Sequence, residues 1–240
     1  NLYINRGITG AIVNRQPFGG MKLSAFGGGI KAGGANYVSC FVNFKQKTLK
    51  SIPAPATKHL PSLSAMLNES DNAYFQYVIT NYLAAYKQEF ETEYLTQKIA
   101  GERNTFRYLP LKNMILRIHK DDGILDVALA IAAAVVSKAV LTVSINSDDE
   151  KLPALKQALE KSYHLVEESE PLFLLEMYKY DRIRTLTDKL SDEFYAVAAK
   201  NGQWIAAQIP LSEGRIELLH YLKEQSISYE YHRYGSMMEE

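Results

Sequence analysis

The chain has one thiol, Cys40, and a thiol becomes a nucleophile only where a neighbouring base or positive charge stabilises its thiolate. Cys40 stands in Tyr-Val-Ser-Cys-Phe-Val, an apolar run with no base beside it. Its expected role is structural. His59, His119, His164, His220 and His232 are scattered and show no paired ligand spacing, so surface or hydrogen-bonded histidines are expected rather than a metal site. The carboxylates Asp121-Asp122, Asp148-Asp149-Glu150 and Glu167-Glu168 fall beside the ends of expected elements, where they cap helices or face water and do not support paired-carboxylate catalysis. Gly27, Gly28, Gly29, Gly33 and Gly34 invite comparison with a phosphate cradle. No apolar strand runs directly into them, however, and the Lys-Ser/Thr of a P-loop is missing.

The elements that would position these groups fall into two regions. Nine of the 14 glycines lie in residues 1–34, a density that suits backbone turning and close approach to a ligand or neighbouring chain. The opening Asn-Leu-Tyr-Ile-Asn reads as a buried strand with no Met and no leader, so the natural start is expected upstream. Residues 37–44 alternate well enough to predict a strand with one face shared with a partner. Residues 51–66 carry three prolines and few large apolar groups; a stiff linker and the main boundary are expected there.

From residue 71 to 99, Tyr74, Tyr77, Val78, Tyr82, Leu83, Tyr86, Phe90, Tyr94 and Leu95 recur at three- and four-residue spacing, which predicts one long amphipathic helix. Apolar segments at 114–119, 124–138, 140–145, 152–163 and 172–186 then alternate between short strands and helices, the rhythm of βαβ units and a parallel sheet. A strand at 204–209, a helix at 214–224 and an extended, polar and aromatic tail at 225–235 complete the expectation.

With 240 residues, 47% of them hydrophobic, the chain can bury one substantial core or two small ones. Lys plus Arg and Asp plus Glu both number 27, so no summed field draws it to nucleic acid or an anionic membrane surface. A single cysteine excludes an internal disulfide framework and fits a reducing, cytoplasmic setting. The apolar run 124–136 contains Asp126 and is too short for a bilayer span.

The opening stretch, with Thr9-Gly10-Ala11, Pro17-Phe18-Gly19-Gly20 and Lys31-Ala32-Gly33-Gly34, resembles the end of the catalytic domain in L-glutamate γ-semialdehyde (1-pyrroline-5-carboxylate) dehydrogenases of the aldehyde dehydrogenase superfamily. The resemblance implies that Gly10 and Ala11 form an anchor loop for the substrate α-carboxylate and that Phe18 packs on its aliphatic chain. A loop of small residues can turn its N–H groups onto a carboxylate, which agrees with that role. The plainer alternative is that Gly10 makes a tight turn and Phe18 fills core. The sequence departs from the usual pattern at Ser24-Ala25-Phe26-Gly27 and at Ala35, where a proline commonly follows.

Asn104-Thr-Phe-Arg-Tyr-Leu-Pro110, the region of Asp181-Arg-Ile-Arg184 and the stretch Glu224-Gln-Ser-Ile-Ser-Tyr-Glu-Tyr-His-Arg-Tyr-Gly235 resemble the extra C-terminal domain of the long proline utilisation A proteins. That resemblance implies an α/β fold: a degenerate, Rossmann-like aldehyde dehydrogenase module without a working cofactor site, preceded by a loop-rich tail of the catalytic domain. Expected divisions are 1–50 for the catalytic-domain end with an oligomerisation flap, 51–66 for the linker and 67–240 for the module. Within the module, 225–240 would serve as a lid over a channelling cavity.

Tyr229, Tyr231, His232, Arg233 and Tyr234 are the expected lid and interface residues, combining contact area with hydrogen-bonding tips. The catalytic thiolate and cofactor site would lie elsewhere. NAD would serve the whole enzyme, with FAD where a proline dehydrogenase precedes it, and this chain alone would bind neither. Its partners would be the rest of the dehydrogenase, the small-molecule substrate and a second copy through the flap. An independent interaction or regulatory module is the competing expectation.

Overall fold

A computed structural model of the protein describes residues 1–8, 12, 15–25, 27–46, 52, 57–159 and 164–231. Its strands are β1 (Leu2–Ile4), β2 (Tyr94–Ile99), β3 (Glu102–Pro110), β4 (Met114–Arg117), β5 (Leu141–Ile145), β6 (His164–Glu167), β7 (Arg182–Thr185), β8 (Trp204–Ala207) and β9 (Leu222–Glu230). Its α-helices are α1 (Pro61–Ser64), α2 (Glu69–Ala85), α3 (Ile124–Val136), α4 (Leu152–Leu159), α5 (Glu170–Glu176), α6 (Asp192–Lys200) and α7 (Gly214–Glu217). None of the described helices is long and apolar enough to cross a membrane.

Two compact units are built from interleaved stretches. The first comprises Asn1–Phe44, Gln88–Leu109 and Lys223–Glu240, and the second Lys45–Lys87 and Pro110–Leu222. Packing therefore groups the hairpin and the tail with the opening segment, whereas linear reading of the sequence assigned both to the stretch 67–240.

In the second unit, β4 pairs in parallel with both β5 and β7, and β6 and β8 flank them in parallel, giving the order β6-β5-β4-β7-β8. The strand order reverses between β4 and β7, the point at which doubly wound sheets open a crevice. All of β4 is buried, and nine of the thirteen residues of α3 are buried. The alanines at 128, 130 and 132–134 leave room for that close approach on several sides. Ile115, Phe173, Met177, Ile183 and Phe194 form a cluster beside the sheet, and full burial of each such side chain contributes about 1.5–3 kcal/mol.

Local signals start the helices: the Asn68 side chain accepts from Asp71 N at 2.9 Å, and Ser191 Oγ accepts from Phe194 N at 3.2 Å. The parallel α/β expectation is met, with boundaries at 124–136 and 141–145 rather than 124–138 and 140–145.

In the first unit the sheet order is β1-β9-β3-β2. The tail strand β9 enters between the opening strand and the hairpin, and β1 lies parallel to it with Leu2, Tyr3 and Ile4 opposite Ile227, Ser228 and Tyr229. The tail is extended as expected, through Glu230.

Three expectations are corrected. Residues 37–44 do not form a strand; Tyr37–Phe41 is a 3-10 helix, initiated by Ser39 N donating to Asn36 O at 2.9 Å. With Val38 and Phe41 each 72% exposed, no ladder among the described residues satisfies an extended backbone there. The long helix over 71–99 ends earlier: α2 stops at Ala85 and widens into a π turn over Tyr86–Phe90. Tyr94–Ile99 then pairs antiparallel with β3. Last, the helix over 214–224 stops at Tyr221, because Leu222 already belongs to β9.

Candidate functional site

The candidate site lies in the first unit, where the buried face of β9 meets the opening segment. Along β9 the even positions are buried: Glu224, Ser226 and Ser228 are 1–3% exposed although all are polar. A buried polar group requires partners, and these residues find theirs far away in sequence. Ser228 Oγ accepts from Arg6 Nη1 at 3.1 Å and from Gln16 Nε2 at 2.9 Å, and donates to Asn104 Oδ1 at 2.8 Å. Gln16 Nε2 also donates to Asn104 Oδ1 at 3.0 Å, and Glu102 receives Asn104 Nδ2 at 3.1 Å and pairs with Arg15 at 3.5 Å and Arg6 at 3.8 Å.

Four residues earlier on the same face, the Glu224 carboxylate accepts from Lys31 N at 2.5 Å and from Asn36 Nδ2 at 2.6 Å. Asn36 Nδ2 is shared with Tyr108 OH at 2.9 Å, and Tyr108 OH donates to Glu89 Oε1 at 3.2 Å. Lys31 Nζ donates to Gly19 O at 2.5 Å. Burial lowers the Lys31 ammonium from its ordinary range, while the charge of Glu224 acts to raise it.

Gly33, at φ +75°, turns this strap, and a Cβ at Gly34 would stand 3.0 Å from Lys31 O and 3.6 Å from Glu224 Oε2. The Gly-Gly pair thus supplies both a left-handed turn and the close approach. Beside it a cleft of about 520 Å³ is lined by Pro17, Gly34, Glu89, Tyr94, Phe106 and Tyr108, among others.

Of the expected site residues, Phe18 is 48% exposed and held by a two-way bridge to Ala32, with N–H to O distances of 3.0 and 2.8 Å. It does not fill core. Tyr229 faces Ile4 across the sheet, its ring 6.0 Å from that of Tyr231, and Tyr231 N donates to Gly101 O at 3.0 Å. Gly10 and Ala11, with Thr9, lie outside the described residues, as do Phe26, His232, Arg233 and Tyr234.

Cys40 differs from its expected place: it is exposed on the 3-10 helix rather than packed in an apolar strand. Partial burial pushes its thiol up, with Glu224 adding in the same direction, so the thiolate is disfavoured. Among the described residues no cluster of three or more His, Cys, Asp or Glu side chains could hold a metal ion. Gln16 and Asn36 carried no signal in the sequence, and Lys31, Asn104, Glu224 and Ser228 entered only as members of the resembling motifs, with no site role. The signal available was the polar set at 224, 226 and 228, which reads as a solvated face and is in fact the buried one.

A second place requiring scrutiny is the crevice of the doubly wound sheet, where such folds hold dinucleotides. The turn from β4 into α3 holds a single glycine, Gly123 at the helix N-cap, with acid on either side of it. Asp122 Oδ2 already accepts the His119 N–H at 2.8 Å, and Asp126 lies in the first turn of α3. Burial raises both carboxyls, and the charge of Asp122 adds to the effect on Asp126. A pyrophosphate would meet these carboxylates where it needs free N–H groups, so the residues at this turn do not fit one.

At the far side of β7, Arg184 and Glu217 form a fully buried pair at 2.9 Å. Leu211 N donates to Glu217 Oε2 at 3.0 Å and Tyr82 OH donates to Leu211 O at 2.6 Å. Burial acts to lower the Arg184 guanidinium, but the charges and hydrogen bonds of Glu217 and Tyr221 together raise it, while burial raises the Glu217 carboxyl against the pull of Arg184. Arg182 donates to the carbonyls of His220 and Leu222 at 2.9 and 3.0 Å, and burial lowers it to about 10. These arginines hold the fold together.

No family model matches the sequence. The chain is 56% identical over 48 residues to the 1-pyrroline-5-carboxylate dehydrogenase of Oceanobacillus iheyensis, covering 20% of this chain and 9% of that protein. It is 53% identical over 45 residues to the enzyme of the same name from Bacillus thuringiensis, 19% of this chain and 8% of that one. The solved structure of proline utilization A from Corynebacterium freiburgense is 31% identical with a TM-score of 0.67, and the match covers 96% of this chain and 20% of that chain. The matched length is thus under a tenth of the curated relatives and a fifth of the solved one. The chain is thus similar in sequence to 1-pyrroline-5-carboxylate dehydrogenases over a short stretch, and in sequence and α/β fold to proline utilization A.

Proposed function

We propose that this chain supplies the substrate-anchoring end and a non-catalytic α/β module to a cytoplasmic, NAD-dependent dehydrogenase. That enzyme would oxidise L-glutamate γ-semialdehyde, the open form of 1-pyrroline-5-carboxylate, to L-glutamate in proline catabolism. The N–H groups around Gly10 and Ala11 receive the substrate α-carboxylate, and Phe18 lies along its methylenes. The nucleophilic thiolate and the NAD site come from the rest of the enzyme, as does FAD where a proline dehydrogenase precedes it. The tail 225–240, with Tyr229, Tyr231, His232, Arg233 and Tyr234, covers a channelling cavity.

The observation that carries this reading is the seat of β9, inserted between β1 and β3 and bonded through Glu224 and Ser228 to residues that flank Phe18. A tail so bound belongs to the working site's framework rather than to a solvated end. The half-exposed Phe18 beside it offers an apolar face to a substrate.

The test compares NAD reduction with L-glutamate γ-semialdehyde by three proteins: the chain alone, the whole dehydrogenase, and the whole dehydrogenase lacking 225–240. The expected result is turnover by the whole enzyme, a marked loss on truncation and none by the chain alone. Turnover or tight NAD binding by the chain alone would sink the reading. A second reading, an independent interaction module, is favoured by the apolar face of the second unit, where Leu172, Leu175 and Tyr178 are 48%, 71% and 61% exposed. Unchanged oxidation and channelling after truncation would support it.

A further inference from the structure

We infer that the buried face of β9 aims Phe18, with Glu224 and Ser228 as positioning residues; the inference rests on the substrate role proposed above for Phe18. Phe18 is half exposed, and among the described residues its backbone is bonded across the bridge to Ala32. Its direction therefore depends on what holds the two strands of that bridge. Each is held by β9. Gln16, two residues before Phe18, is 1% exposed, and its amide donates to Ser228 Oγ. Lys31, next to Ala32, is fully buried, and its N–H donates to the Glu224 carboxylate. A cross-tie closes the frame, because Lys31 Nζ donates to Gly19 O, immediately after Phe18.

Glu224 and Ser228 lie four residues apart on one face of an extended strand, about 13 Å at the usual rise per residue. They thus fix the two arms of the bridge at separate points, as a jig does. The Glu224 contacts are charge-assisted, and one carboxylate serves two donors, Lys31 N and Asn36 Nδ2. Replacing it by the isosteric amide sets an NH2 group against one of them. The strap 31–36 must then shift, and Phe18 with it. A shift of about 1 Å in a group that orients substrate is enough to alter turnover parameters severalfold or more.

The experiment is a double-mutant cycle in the whole dehydrogenase, with kcat and KM for L-glutamate γ-semialdehyde measured for wild type, Phe18→Ala, Glu224→Gln and the double variant. If Glu224 acts through Phe18, Glu224→Gln raises KM about fivefold in the wild-type background and less than about 1.5-fold once Phe18 is alanine. A merely structural defect would multiply equally in both backgrounds, and that result overturns the positioning role, as does a wild-type KM for Glu224→Gln. In either case a Phe18→Ala effect still standing leaves the role of Phe18 itself intact. Wild-type kinetics for Phe18→Ala would overturn both. Should Glu224→Gln fail to fold, the same cycle with Ser228→Ala decides by the same outcomes, since it removes one hydroxyl at the other arm.

Discussion

The two units are held together by different means. The second buries an apolar parallel sheet and an alanine-rich helix, and with them the pairs Arg184–Glu217 and Lys151–Asp149 and the carbonyl-bonded Arg117 and Arg182. The first is smaller, and its buried groups include Gln16, Lys31, Asn36, Asn104, Glu224, Ser226 and Ser228. Apolar burial is non-directional and tolerates small shifts, whereas hydrogen bonds specify distance and angle. The first unit therefore gives up cohesion for geometric definition, in the part of the molecule that carries Phe18. That trade is common where binding groups must be held in place.

The largest effect is expected at the fully buried ion pair of the second unit. Glu217→Ala leaves Arg184 charged and unpaired in a site with no exposure, which destabilises the second unit by about 3–5 kcal/mol. Urea unfolding followed by the fluorescence of Trp204, the only tryptophan, measures it. A loss under 1 kcal/mol would mean that the pair is far wetter than its burial indicates. In the first unit, Asn104→Ala removes the acceptor shared by Gln16 and Ser228. The expected loss is about 1–3 kcal/mol, read as faster amide exchange along β9. Unchanged exchange would show that apolar contacts, not this network, hold the tail.

A pH experiment sharpens the same contrast. His220 is partly buried beside Arg184 and Arg182, and burial, then the charges of Arg184 and Arg182, hold its pKa well below 6.5. The unfolded chain takes up a proton near 6.5 that the folded one refuses, so stability is present above that pH and falls below it. The slope approaches ~1.4 kcal/mol per pH unit for this one group. Trp204, whose ring lies 5.7 Å from that of His220, reports the transition. His220→Asn should flatten the acid limb, and an unaltered limb would assign the acid sensitivity to other groups.

Much of the second unit was legible in the sequence because periodicity and apolar runs report directly on burial. Residues 114–117 and 141–145 are strands, and 124–136 is a helix, close to where the pattern placed them. Tyr94 and Leu95 misled, since they continue the helical spacing of Tyr86 and Phe90, yet the chain turns and Tyr94–Ile99 finds a partner strand in Glu102–Pro110. Residues 37–44 misled for the opposite reason: their alternation suits a strand, but among the described residues no strand pairs with them.

Local physics is written in the residues themselves: the caps at Asn68 and Ser191, the buried helix at 124–136, the turn at Gly33 and Gly34, and the motifs at 9–11, 17–20 and 224–235 that carry the resemblance. Which distant residues meet is settled by packing and register instead. Glu224 reaches Lys31 and Ser228 reaches Gln16 across 193 and 212 positions of chain. Neither partner signals the other, because a polar residue in an alternating strand looks the same whether its face meets water or a buried acceptor. The choice was made by the β9 register beside β1, which sets the even positions inward, and a slip of one residue would have turned them all to solvent.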